Sequence, residues 1–210
     1  MTRYFYDTEF IDDGHIIELI SIGIVADDGR EYYAVNQDVS QDRILQSTWL
    51  RDNVWPSLPT RALTQHEELI LGARQFRPPA QAPLATDLYY RLGAIDTEAP
   101  EVKHKTVIAD EVRDFILQPA GNEIRADVEL WADYAAYDHV ALAQLFGPMI
   151  ALPHGIPMFT NDLQQLVGHV VARSTQSLTL PVQESGAHNA LADARHLKAC
   201  YDAIRQIGGV

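Results

Sequence analysis

Arg3-Tyr4-Phe5-Tyr6-Asp7-Thr8-Glu9-Phe10 is the stretch on which the reading of this chain depends. Aromatic residues favour strands, and the run is bounded by the turn signal Asp12-Asp13-Gly14, so it reads as a β-strand. Side chains alternate faces along a strand, which brings Asp7 and Glu9 out on the same side. A lone Asp-x-Glu pair is ordinarily a solvated strand edge. Here Tyr4, Phe5, Tyr6, Phe10 and the Ile-rich run after them predict a strand inside a core. Two adjacent buried carboxylates repel each other unless protons or cations sit between them. For an all-oxygen cluster the fitting cations are Mg²⁺ and Mn²⁺.

Outward from this strand, residues 15–25 and 31–35 read as two more, joined by the turns Asp12-Asp13-Gly14 and Asp27-Asp28-Gly29. Such short loops predict an antiparallel meander. Turn chemistry accounts for Asp12 and Asp13, and Glu18 is expected to face solvent or pair locally. Residues 40–53 predict a helix with Trp49 and Leu50 in the core. A helix is expected over 65–76, with Leu69, Ile70 and Ala73 on one side. Residues 77–83 form a proline-rich breaker, and 84–92 a short helix. Together, residues 56–105 read as an insertion into one domain spanning 1–210.

Residues 106–117 carry apolar positions at helical spacing, and 128–134 read as a strand. A helix over 139–146 follows, closed by Gly147-Pro148. Asp138 thus stands where a strand passes into a helix, a usual place for site residues in α/β sheets. Helix capping is the ordinary task of an Asp there, and Asp133 is a competing acid. Residues 161–172 predict another helix, capped by Asn161 or Thr160. The last helix has an apolar face of Ala190, Ala194, Leu197, Tyr201 and Ile204. His188 and Asp193 are five positions apart, about 140° around a helix, so they cannot share a face within it. They converge if Asn189 is the N-cap and His188 lies in the preceding loop.

Apolar residues make up 47% of the 210, ample for a core, and no apolar run approaches a membrane span. Cys200 is the sole cysteine, which excludes an intrachain disulfide. With charged residues where a signal peptide would be apolar, a cytoplasmic bacterial or bacteriophage protein is expected. The net charge of −13 argues against tight non-specific binding to long duplexes.

Asp7-Thr8-Glu9-Phe10, Ala135-Ala136-Tyr137-Asp138-His139 and His188-Asn189-Ala190-Leu191-Ala192-Asp193 occur in that order. In these three motifs the chain resembles the DEDDh 3′→5′ exonucleases, and within them the actinobacterial polyadenylate-specific exoribonucleases of the RNase AS type. The likeness covers roughly residues 3–53 and 106–201. It implies an α/β, ribonuclease H-like fold: a mixed five-stranded sheet, antiparallel meander first and parallel strands after, flanked by helices. It also implies hydrolysis of RNA 3′ ends to nucleoside 5′-monophosphates, a preference for adenylate tails, two Mg²⁺ or Mn²⁺ ions and a homodimer. By the same resemblance Asp7 bridges both ions, Glu9 and Asp193 hold the ion carrying the attacking water, and Asp138 holds the second. His188 is then the general base, a role that suits an imidazole near neutral pH. Thr8, Phe10 and Tyr137 are the candidate substrate contacts, with Ile11 a further candidate to wedge the terminal base. A DNA exonuclease or oligonucleotide trimmer on the same fold is the alternative within the enzyme class. A non-catalytic nucleotide-binding module is the alternative outside it. No loop has the Asp-x-Asp-x-Asp-Gly pattern of an EF-hand calcium site.

Overall fold

The computed structural model describes residues 2–75, 89, 91–117, 127–173 and 178–208. Three long strands form the expected meander: β1 (Thr2–Asp12), β2 (Ile17–Ala26) and β3 (Glu31–Asn36). Asp12 and Asp13 accept hydrogen bonds from the backbone amides of Gly14, His15 and Ile16, and Gly14 takes a φ of 81°. Those acids are turn-formers. Glu18 pairs with Arg43 and accepts from the Ser40 amide.

Two short helices follow, α1 (Gln41–Gln46) and α2 (Thr48–Asn53), in place of the single helix expected over 40–53. Ser47 takes extended backbone angles and accepts from the Leu50 amide, capping α2 and ending α1 in one step. Within the span 56–105, β4 (Thr60–Arg61) pairs with β5 (Ala94–Ile95), and α3 (Gln65–Gln75) starts in a capping box between Thr64 and Glu67. Leu69 and Ile70 are exposed and Leu71 is buried, so the apolar side of α3 differs from the expected one. The breaker at 77–83 and most of the helix expected at 84–92 lie outside the described residues.

Strand β6 (Val102–Lys103) joins β3 in parallel and leads into α4 (Lys105–Leu117). Strand β7 (Val128–Ala132) lies parallel to β1 and precedes α5 (Ala136–Gln144). Residues 161 and 162, expected inside a helix, form β8 (Asn161–Asp162) beside β7. Helix α6 (Leu163–Arg173) starts after them, where Asp162 Oδ1 accepts from the Gln164 amide. Helix α7 (Ala190–Gly208) is the last element. The mixed sheet thus has six strands in the order β6-β3-β2-β1-β7-β8 rather than five, the two-residue edge strands being too short to show a period in sequence.

Strand β1 is apolar on both faces because helices cover both. Tyr4 and Tyr6 share a core with Ile108, Val112 and Ile116 of α4 and Ala141 and Leu142 of α5. Phe5 packs on the opposite face against Leu197, Tyr201 and Ile204 of α7, its ring 5.0 Å from that of Tyr201. A register shift at Glu9/Phe10 leaves an extra residue on β2. Such a bulge changes the phase of alternation, and Ile20 joins Ile11 in a third core under α1 and α2.

Candidate active site

The alternation that buries Phe5 against α7 also turns Asp7 and Glu9 toward that helix. Gly23 brings α7 within reach. It is the cross-strand partner of Asp7, and a Cβ there would lie 2.3 Å from the Leu191 amide nitrogen and 2.4 Å from the Ala190 carbonyl. The first turn of α7 therefore rests directly on the backbone of β2. Asn189 is the N-cap, its Oδ1 accepting from the Ala192 amide at 3.1 Å. Asp193 then projects from the first turn toward the strand pair. Asp7, Glu9 and Asp193 each offer a carboxylate oxygen, all within 4.8 Å of one another.

Burial, followed by the neighbouring carboxylates Asp138, Glu9, Asp193 and Asp133, raises the Asp7 carboxyl well above its usual range. Glu9 is pushed up to about 8 by burial and by Asp193 and Asp138. Burial also raises Asp193, against the hydrogen bonds it accepts from Gln183 and the His188 backbone. These are hard oxygen donors under mutual repulsion, a set that fits a divalent cation such as Mg²⁺ or Mn²⁺.

Asp138 enters from the opposite face of the sheet. It sits in the first turn of α5, whose N-cap is Ala135, so it is not the cap. Its Oδ1 accepts from the Thr8 amide at 2.9 Å and from the Thr8 hydroxyl at 2.6 Å. Burial raises the Asp138 carboxyl and these two bonds pull it back. Thr8, expected to touch substrate, is buried with its hydroxyl committed to Asp138.

His188 lies in the loop before α7 with φ 64°, a left-handed conformation uncommon for a residue other than glycine. The Ser57 hydroxyl lies 2.7 Å from the His188 carbonyl and donates to it, tying the loop to the segment after α2. The imidazole Nδ1 stands 3.9 Å from Glu9 Oε1, and the side chain remains 40% exposed. Trp49, expected in the core, is exposed and meets the His188 ring edge-on at 4.9 Å. Successive helix positions point about 100° apart, so Leu50 takes the core and Trp49 faces out. Phe10 and Tyr137 stack on each other at 5.9 Å with an interplanar angle of 11°. Ile11 is a core residue.

Phe10, Trp49 and His188 open onto a cleft of about 530 Å³. Asp7, Glu9, Asp133, Asp138 and Asp193 all line it, with His188 and His196 as the basic groups of its described lining. Asp133 accepts from Gln164 Nε2 at 2.7 Å. The cleft thus gathers carboxylates from β1, α5, α7 and the residue after β7, with the imidazoles of His188 and His196 beside them. It is equipped to hold cations and to move a proton beside a bound anion. Among its contributors, sequence reasoning passed over Gly23 and Ser57. A glycine inside an Ile-rich strand signals a close backbone approach, whereas nothing local marks Ser57.

Residues 91–205 match the 3′-5′ exoribonuclease Rv2179c-like domain. The chain is 38% identical over 193 residues to the 3′-5′ exoribonuclease Rv2179c of Mycobacterium tuberculosis strain ATCC 25618 / H37Rv, a match covering 92% of this chain and 87% of the relative. The same figures hold for the 3′-5′ exoribonuclease MT2234.1 of strain CDC 1551 / Oshkosh. Among the described residues no helix is long and apolar enough to cross a membrane.

Proposed function

The chain belongs to the Rv2179c-like 3′-5′ exoribonuclease family, and from that premise we propose that it hydrolyses nucleotides from RNA 3′ ends. The observation that carries this reading is the convergence of Asp7, Glu9 and Asp193 within 4.8 Å, with the His188 imidazole 3.9 Å from Glu9. Asp7, Glu9 and Asp193 would hold one divalent ion, and Asp7 with Asp138 a second. Bound there, Mg²⁺ or Mn²⁺ supplies Lewis-acid polarisation of the scissile phosphate and offsets charge on the attacking and leaving oxygens.

The chain's own groups do the rest. His188 takes the proton of the attacking water, and its exposure lets that proton pass on to solvent. Thr8 holds Asp138 in one orientation, on the side of the cleft where the leaving 3′-oxygen gathers charge. Phe10 and Tyr137 offer an aromatic surface at one rim and Trp49 another at the rim beside His188. The product is a nucleoside 5′-monophosphate. Preference for adenylate tails and assembly as a homodimer rest on the resemblance to the family.

The test is to incubate the protein with 3′-tailed RNA and the matching DNA, with Mn²⁺ or with EDTA, and to read product length and end chemistry. RNA shortened from its 3′ end to 5′-monophosphates, in Mn²⁺ alone, is expected. Equal rates on DNA would remove the preference for RNA, and shortening in EDTA would remove the metal.

A further inference from the structure

Two non-glycine residues among those described have a positive φ, His188 at 64° and Tyr134 at 51°, and both line the same cleft. The first has a role in the chemistry proposed above. The second has none. Left-handed backbone costs an L-residue roughly 1–2 kcal/mol, and such strain persists where the surroundings over-determine it. That condition is met here on both sides. Before Tyr134, the Asp133 carboxylate is held by Gln164 Nε2 at 2.7 Å; after it, the Ala135 amide donates to Asp162 Oδ2 at 2.9 Å. Both anchors come from β8 and the start of α6, so the bend between β7 and α5 is clamped with Tyr134 at its apex. The clamp leaves the ring 72% exposed, where a core residue would be covered.

We propose that Tyr134 is a substrate-contacting residue whose ring stacks on the base of the penultimate nucleotide of a single-stranded RNA. The inference rests on the reading of the site given above. Tyr134 lines the cleft from the bend that leads out of β7 into α5, the helix that carries Asp138, and Asp138 is assigned to the leaving 3′-oxygen. That oxygen belongs to the penultimate nucleotide, so its base is the one that reaches this wall. An exposed ring on a rigid bend suits stacking because every base has a π-face and little side-chain freedom is lost.

Tyr134→Gly and Tyr134→Asn both accept the left-handed backbone, so the fold is retained and melting temperatures stay at or above wild type. Steady-state hydrolysis of 3′-tailed RNA in Mn²⁺ should show KM raised about 5- to 100-fold in both variants, the size of one lost base–aromatic stack. Tyr134→Phe should match wild type, because the ring and not the phenol makes the contact. Inhibition by a nucleoside 5′-monophosphate, which occupies the terminal position alone, should be unchanged throughout. Wild-type hydrolysis with KM within twofold in both the Gly and Asn variants would overturn this inference alone. So would a loss of monophosphate inhibition in parallel with KM, which would place the ring on the terminal nucleotide. A wild-type protein that leaves RNA intact would overturn the nuclease reading and this inference with it.

Discussion

The two walls of the cleft handle the same chemical group in opposite ways. On the α5 wall, Asp138 is buried yet satisfied: the Thr8 amide and hydroxyl both donate to it. On the α7 wall, buried Glu9 and half-buried Asp7 face Asp193 within 4.8 Å, with their protons held up by desolvation and by the neighbouring carboxylates. One wall orients its acid with protein hydrogen bonds that partly offset its burial; the other leaves a demand that a cation can meet. The difference separates a carboxylate that the protein itself orients from a cluster whose repulsion the protein leaves in place.

Removing the centre of the unsatisfied wall should have the largest effect. Asp7→Ala should abolish Mn²⁺ binding by calorimetry and bring RNA hydrolysis below detection, while its melting temperature in EDTA rises because repulsion is relieved. A lower melting temperature in EDTA would make Asp7 a structural hydrogen-bonding group and erase the contrast between the walls. His188→Ala should lower turnover by about 10²–10⁴-fold, the usual contribution of a general base, with Mn²⁺ affinity nearly unchanged. A rate near that of wild type would take His188 out of the mechanism.

The satisfied wall should respond more mildly. Thr8→Val keeps the backbone bond and removes the hydroxyl, and should cost roughly 10–100-fold in activity, as is typical for a group that orients a metal ligand. A loss as deep as that of Asp7→Ala would mean that Asp138 depends on Thr8 entirely.

The smallest effect concerns pH without metal. Glu9 titrates near 8 in the folded protein, above the ~4.3 of an unfolded glutamate. The folded state therefore binds more protons than the unfolded state between those values. Its contribution to stability is present below the lower value and is lost as pH rises through about 8. Melting temperature in EDTA should fall between pH 5 and pH 8, and Mn²⁺ should reduce or reverse the fall. A rise with pH in EDTA would show that the α7 wall is not under repulsion.

Much of this contrast was legible from local pattern. Period-two alternation places Asp7 beside Glu9 and, two residues earlier on the same face, Phe5 in the core, because the pleat leaves no other arrangement. The Asn189 cap and the apolar face of α7 follow from helical geometry in the same way, and they settle His188 in the loop before it. These are properties of a few consecutive residues, and the amino-acid sequence alone determined them.

Tertiary structure decided what depends on partners far along the chain. That Thr8 serves Asp138, 130 positions away, follows from the crossing of α5 over β1. That Gly23 admits the start of α7, that Trp49 turns out to meet His188, and that Tyr134 is pinned by Asp162 and Gln164 all follow from how the elements dock. Local propensity sets the direction of a side chain along its own strand or helix. The distance between two side chains on different elements is set by packing, and the chemistry of this cleft lies in those distances.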